Sequence, residues 1–152
     1  MAVFNFAGLL LRELDRAMAL LAPVFQLGIR LYVASVFLKS GLTKIDDFSS
    51  TIALFENEYK VPILSPEFAA CLGTGAELIL PLLFVLGVFS RPVAIALIFF
   101  NIVAVVSYPD ISGAGRAYHF CWGGLIAVIA VFGAGRLSVD AWWKQPSTTR
   151  AM

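Results

Sequence analysis

Charge is scarce in this chain, and chemically reactive side chains are scarcer. Of 152 residues only 14% are charged, one is histidine and two are cysteine. A soluble domain is normally about a quarter charged, so there is too little polar side chain here to coat a water-facing surface around so many apolar groups. The 11 basic and 10 acidic residues nearly cancel, which excludes the extended cationic face that nucleic-acid binding needs. Cys71 and Cys121 follow no CxxC or zinc-ligand spacing, so no metal site is expected. GxSxG, P-loop, HExxH, CxxCH and Gly-rich dinucleotide motifs are missing as well, and with them the familiar signatures of a nucleophile or a nucleotide site. The opening MAVFNFAGLLLRELDR has no leading basic cluster and no small-residue cleavage site, so it is expected to be retained rather than removed as a signal.

What the chain has instead is long apolar runs. It is 60% hydrophobic with 13 Phe, and its mean hydropathy is +0.88. Four segments, roughly 18–39, 67–89, 91–109 and 117–136, reach the length of about 20 apolar residues that a helix needs to cross about 30 Å of hydrocarbon. In lipid the backbone must satisfy its own polar groups. The expected fold is therefore all-α, an integral membrane four-helix bundle forming a single domain over 1–152 with a short C-terminal tail.

Two shorter segments read as interfacial helices. Over about 3–16, Phe4, Phe6, Leu9, Leu10 and Leu11 precede Arg12, Glu13, Asp15 and Arg16, as in a helix lying on the membrane surface. Between the first two spans, Phe48, Ile52, Phe55 and Tyr59 recur at helical spacing with Glu56, Glu58 and Lys60 on other faces. Ser65-Pro66-Glu67 is a helix start: a capping hydroxyl, a proline suited to the first turn and an acid at the positive end of the helix dipole. Phe89-Ser90-Arg91-Pro92 leaves room only for a tight hairpin between the second and third spans.

Four spans put both termini on one side. Placing them in the cytoplasm groups Arg12, Arg16, Arg91, Arg136, Lys144 and Arg150 inside, against Lys39, Lys44, Lys60 and Arg116 outside, the bias that the positive-inside rule selects. Trp142 and Trp143 suit an interfacial aromatic belt on that inner side.

An ionisable side chain near the bilayer centre costs at least about 2.5–3.5 kcal/mol on insertion scales, so each calls for a partner or a function. Counting from the inner ends of their spans places Arg30 and Glu77 at similar depth, with Asn101 nearly level and Gln26 one turn from Arg30. The expected centre is a polar layer in which Arg30 and Glu77 neutralise each other and Asn101 completes the hydrogen bonding. Arg30, Phe37, Gly41 and Lys44 share one helix face, while Lys39 points away to the headgroups. Ala70, Gly73 and Thr74 lie on the Glu77 side and allow close helix approach, and Pro81 removes a backbone hydrogen bond beside the carboxyl. This layer reads equally as a register-fixing salt bridge and as a binding site for a quinone, thiol or other small polar headgroup, with Glu77 as candidate proton relay and Arg30, Glu77, Asn101, Gln26 and Lys44 as candidate binding residues. His119, Cys121 and Cys71 sit near the outer boundary, but their helical directions diverge, which favours packing over a redox or metal cluster.

The residues Arg30, Gly41-Leu42-Thr43-Lys44, Tyr59-Lys60-Val61-Pro62, Glu77 and Leu86-Gly87-Val88-Phe89-Ser90-Arg91, in this order, resemble the DoxX family of small bacterial membrane proteins over roughly residues 27–105. The resemblance marks Arg30, Gly41, Lys44 and Glu77 as recurring polar positions. It departs at Leu80-Pro81, where members often carry small residues, and the C-terminal third is similar only in hydropathy. It implies a bacterial inner membrane, and a role as a subunit of a membrane redox system, quinone-linked or thiol-handling, with a protein partner or a second copy. A non-catalytic scaffold is the second reading and small-solute transport the third. A quinone is the one cofactor these readings suggest.

Overall fold

The computed structural model describes residues 2–144, with side chains from residue 8 onward. Phe4 and Phe6 as side chains, Arg150 and the C-terminal tail lie outside the described residues. Six helices follow in order: α1 (Ala2–Asp46), α2 (Phe48–Asn57), α3 (Pro66–Leu86), α4 (Ser90–Ser107), α5 (Gly113–Phe132) and α6 (Val139–Trp143). No strand occurs among the described residues.

Four of these helices, α1, α3, α4 and α5, are long and apolar enough to cross a membrane. They pack in a ring in which α1 touches α3 and α5, and α4 touches α3 and α5, so that α3 and α5 face each other across the diagonal. The centre is filled by Val33, Phe84, Leu97, Ile126 and Ile129, all fully buried. Large apolar side chains such as Ile79, Phe99, Val106, Phe120 and Val131 point outward and are more than half exposed. A protein apolar on both its inside and its outside is built for lipid.

Local sequence explains where the helices begin and end. Ser65 caps α3 by accepting from Phe68 N (3.4 Å), Asp47 caps α2 by accepting from Ser50 N (3.0 Å), and Ser112 caps α5 by accepting from Gly115 N (3.0 Å). Hydrogen bonds from Ser50 and Ser49 hold the exposed Asp47 carboxyl down to about 2. Helix α3 ends at Gly87, whose φ of +66° favours glycine. A Cβ there would also come within 2.5 Å of Ser138 Cβ and 2.8 Å of an Arg30 nitrogen.

Helix α4 has no capping side chain of its own. Asp140, on α6, supplies it: Phe89 N donates to one carboxylate oxygen (2.9 Å) and Ser90 N to the other (2.7 Å). The α3–α4 hairpin and the segment after α5 are thereby tied together, with Asp140 N also donating to Gly87 O (3.0 Å). Partial burial raises the Asp140 pKa, but the hydrogen bonds from Ser90 and Phe89 outweigh it, and the carboxyl titrates below its ordinary value. A depressed folded-state pKa contributes stability above the unfolded-state value of about 3.9 that is lost as pH falls through the folded one. Asp140→Asn is expected to lower the melting temperature at neutral pH and to flatten its acid decline; a decline as steep as in the parent protein would remove Asp140 as the cause.

Helix α1 runs without a break through the expected start of the first span and on to Asp46. Its part before Gln26 carries few contacts, and Leu10, Leu14, Met18, Leu21 and Phe25 are all at least half exposed. Arg12, Glu13, Asp15 and Arg16 occupy the other side of this segment, where Arg16 pairs with Glu13.

Candidate functional site

The structure divides the expected polar layer into two. Arg30 does not meet Glu77. Helices α1 and α3 are antiparallel, and their register is fixed where Gly41 lets α3 approach: a Cβ on Gly41 would come within 2.9 Å of the Leu78 side chain and 3.1 Å of Glu77 Cβ. Glu77 is therefore level with Gly41. Arg30 precedes Gly41 by 11 residues, about 16 Å along a helix, which carries it to the far end of α3. The expectation failed because depth was counted from a span start at residue 18, whereas α1 extends well outside the bundle at that end.

At its own level Arg30 is fully buried, and its guanidinium donates to Val85 O and Leu137 O. The first is among the last carbonyls of α3, where the helix dipole is negative and no intrahelical donor is left. No carboxylate among the described residues pairs with Arg30, and its Nε has no partner among them. Gln26, one turn earlier on α1, donates to Gly133 O (3.4 Å). Arg30 and Gln26 thus clasp the end of α3 and the segment linking α5 to α6.

The second polar group gathers around Glu77. Lys44 Nζ lies 2.6 Å from Glu77 Oε2 and 2.9 Å from Oε1, and Ser40 Oγ donates to Oε1 at 3.1 Å while accepting from Lys44 at 2.8 Å. The Lys44 and Glu77 side chains are only 13% and 10% exposed. In a site this dry, the pair needs its geometry and the added serine hydroxyl to offset the cost of leaving water. Sequence reasoning placed Lys44 on the bundle-facing stripe of α1 but assigned its partner to Arg30. Ser40 it missed, although a serine one turn before a lysine that faces an intramembrane carboxylate carries the signal.

Two cavities are lined by both members of the pair. The larger, about 320 Å³, lies between α3 and α4 beneath α2; Phe55, Tyr59, Phe100 and Val103 form its walls, and the exposed Leu64 and Leu72 stand at its rim. The smaller, about 170 Å³, reaches toward α5 and is lined by Phe37, Tyr108, His119 and Trp122. Lys44, Tyr59, Glu77 and Ala104 belong to both. Phe55 and Tyr59 stack at 4.8 Å, and Tyr59 packs on Tyr108 at 5.0 Å. Burial first, then the charge of Glu77, raises the Tyr59 pKa, so its hydroxyl stays neutral. The segment is pinned over the larger cavity by Lys60 N donating to Ser107 O (2.7 Å) and by Thr51 Oγ1 donating to Lys44 O (3.0 Å).

Asn101 is buried, but it completes neither Arg30 nor Glu77: its amide nitrogen donates to His119 O (3.0 Å) and its Oδ1 meets His119 Nδ1 (2.7 Å). Cys71 and Cys121 are exposed on different helices. Among the described residues no group of three or more His, Cys, Asp or Glu side chains is placed to hold a metal ion.

Four spanning helices around a buried ion pair, with apolar side chains inside and out, define a multi-pass α-helical membrane protein. The sequence profile of the DoxX family matches residues 25–109, more than half of the chain, and the chain belongs to that family. No curated protein and no solved structure matches it.

Proposed function

We propose that this DoxX-family protein is an accessory subunit of a membrane redox system, in which the Lys44–Glu77 pair receives the polar headgroup of a quinone-like or thiol-bearing molecule. The observation that supports this is the pair's position in the wall between two cavities, the larger of which has its rim on the lipid-facing side of α3. A headgroup arriving from the bilayer meets a carboxylate acceptor beside an ammonium charge, inside a largely apolar enclosure of the kind that binds small molecules. Glu77 is the candidate proton relay. Of the other candidate binding residues, Asn101 serves the site through His119, whereas Arg30 and Gln26 organise the opposite end of the bundle. The α3–α4 hairpin end, with Arg91 and Arg136, is proposed to face the cytoplasm of a bacterial inner membrane, and a protein partner or second copy to complete the system.

The test is to purify the full chain from its native membranes in a mild detergent and identify the redox protein and the quinones that accompany it. Glu77→Gln is expected to abolish partner-dependent quinone reduction while folding and partner recovery persist. Unchanged turnover would sink the proposal. A scaffold role is favoured by one observation, that the ion pair bridges α1 and α3; on that reading Glu77→Gln lowers stability but leaves turnover per folded complex intact.

A further inference from the structure

A third space, an open groove of about 600 Å³, lies between α1 and α2 and is lined by Lys44 but not by Glu77. Val36, Ser40 and Thr43, one stripe of α1, form one wall with Lys39 beside them. Ser50, Thr51 and Leu54 of α2 form the other, and Asp47 stands at the turn where the two helices meet.

Nearly every polar group in this groove is already engaged. The three N–H groups of Lys44 Nζ go to Ser40 Oγ and to both oxygens of Glu77. The hydroxyl of Ser40 donates to Glu77, that of Thr43 to Lys39 O, that of Ser50 to Asp47 and that of Thr51 to Lys44 O. Two groups of opposite charge are left over. Lys39 is exposed and belongs to neither of the two ion pairs among the described residues. The Asp47 carboxylate accepts from Ser49 Oγ, Ser50 N and Ser50 Oγ, three of the approximately four positions that a carboxylate offers.

Lys39 and Asp47 are eight residues apart, about 12 Å of helix rise, so a ligand that satisfies both must carry two separated charges. The groove sits at the end of a membrane-spanning helix, the depth at which lipid headgroups lie. Leu42 and Ile45, on the same turns of α1, are at least half exposed, as suits contact with lipid. Val36, one turn deeper than Ser40, carries the groove toward the hydrocarbon.

We infer that this groove holds the headgroup of a phospholipid bearing a primary amine, a phosphoethanolamine diester, with its phosphate on Lys39 and its ammonium donating to Asp47. An anionic headgroup without an amine brings its charge to Asp47 with nothing to offset it. A trimethylammonium headgroup balances the charges but has no N–H for the open carboxylate position. The site is separate from the one proposed at Glu77, and either can stand without the other.

Native mass spectrometry of the full-length protein, titrated with palmitoyl-oleoyl phospholipids that differ only in headgroup, reads the affinity of the first bound lipid. Phosphatidylethanolamine is expected to bind about tenfold tighter than phosphatidylcholine or phosphatidylglycerol, the factor that one charge-assisted hydrogen bond supplies. Lys39→Met, at an exposed position, should weaken phosphatidylethanolamine about tenfold, and Lys39→Arg should not. Asp47→Ser keeps a capping hydroxyl for α2; it should bring phosphatidylethanolamine to the affinity of phosphatidylcholine and strengthen phosphatidylglycerol. Equal affinities for the three lipids, a preference for phosphatidylglycerol in the parent protein, or a Lys39→Met variant that binds phosphatidylethanolamine unchanged would overturn the inference. Water-soluble glycerophosphoethanolamine carries the same charges without acyl chains and is expected not to displace the lipid at equal concentration. Equal competition would assign the groove to a soluble ligand and overturn its assignment to the membrane.

Discussion

Lys44→Met should destabilise the bundle by about 3–5 kcal/mol, because it strands the Glu77 carboxylate in a dry site with one serine hydroxyl for company. The double variant Lys44→Met/Glu77→Met should recover most of that loss, since two apolar chains of similar length fill the same space without any charge to desolvate. Reversible unfolding in mixed micelles reads both quantities. The order of the three proteins carries the argument: a single variant as stable as the parent would mean that the pair is solvated in the membrane, contrary to its near-complete burial. The same series separates stability from use. If Glu77 handles a headgroup, the stable double variant remains inactive, whereas a scaffold regains its role along with its fold.

A loss at least as large is expected for Arg30→Ala at the other end. Arg30 is the largest of the fully buried side chains, and truncating it opens a void and removes the donors that satisfy Val85 O and Leu137 O. Large-to-small replacements in cores cost about 2–5 kcal/mol, and each stranded carbonyl adds about 1–3 kcal/mol. Arg30→Lys should recover only part, because a lysine presents a point charge where the planar fork reaches two carbonyls in different segments. Unfolding midpoints that follow the order Arg, Lys, Ala would support this clasp. Indistinguishable Lys and Ala variants would show that the fork, rather than the charge, is what the site requires.

The difference between these two sites shows which parts of the fold the sequence makes legible. Spans, the Ser65 cap and the hairpin at Pro92 depend on residues adjacent in sequence, and hydropathy and capping chemistry expose them directly. The face of α1 that looks inward was also readable, because Phe37, Gly41 and Lys44 share a helical direction. Relative depth was not. It depends on how far one helix slides along another, and the contact that sets it, Gly41 against Glu77 and Leu78, has the same sequence signature as any small residue in a membrane helix. An offset of a few turns exchanged the partner of Glu77 from Arg30 to Lys44 and that of Asn101 to His119. His119 was noticed as a companion of the cysteines, but its placement in the wall of a cavity shared with Glu77 depends on the ring order of the helices, which no single segment encodes.

Asp140 gives the order of assembly a physical meaning. Helix α4 enters the bilayer with the first N–H groups of its chain start unsatisfied, and the carboxylate that satisfies them lies 50 residues further on, beyond the whole of α5. Helix α4 is therefore made well before it is capped: it waits for α5 to cross and for α6 to return to the same membrane face. Until then the α3–α4 turn lacks the carboxylate that joins it to the segment after α5, so the short helix α6 acts as a latch that closes only once α5 is in place.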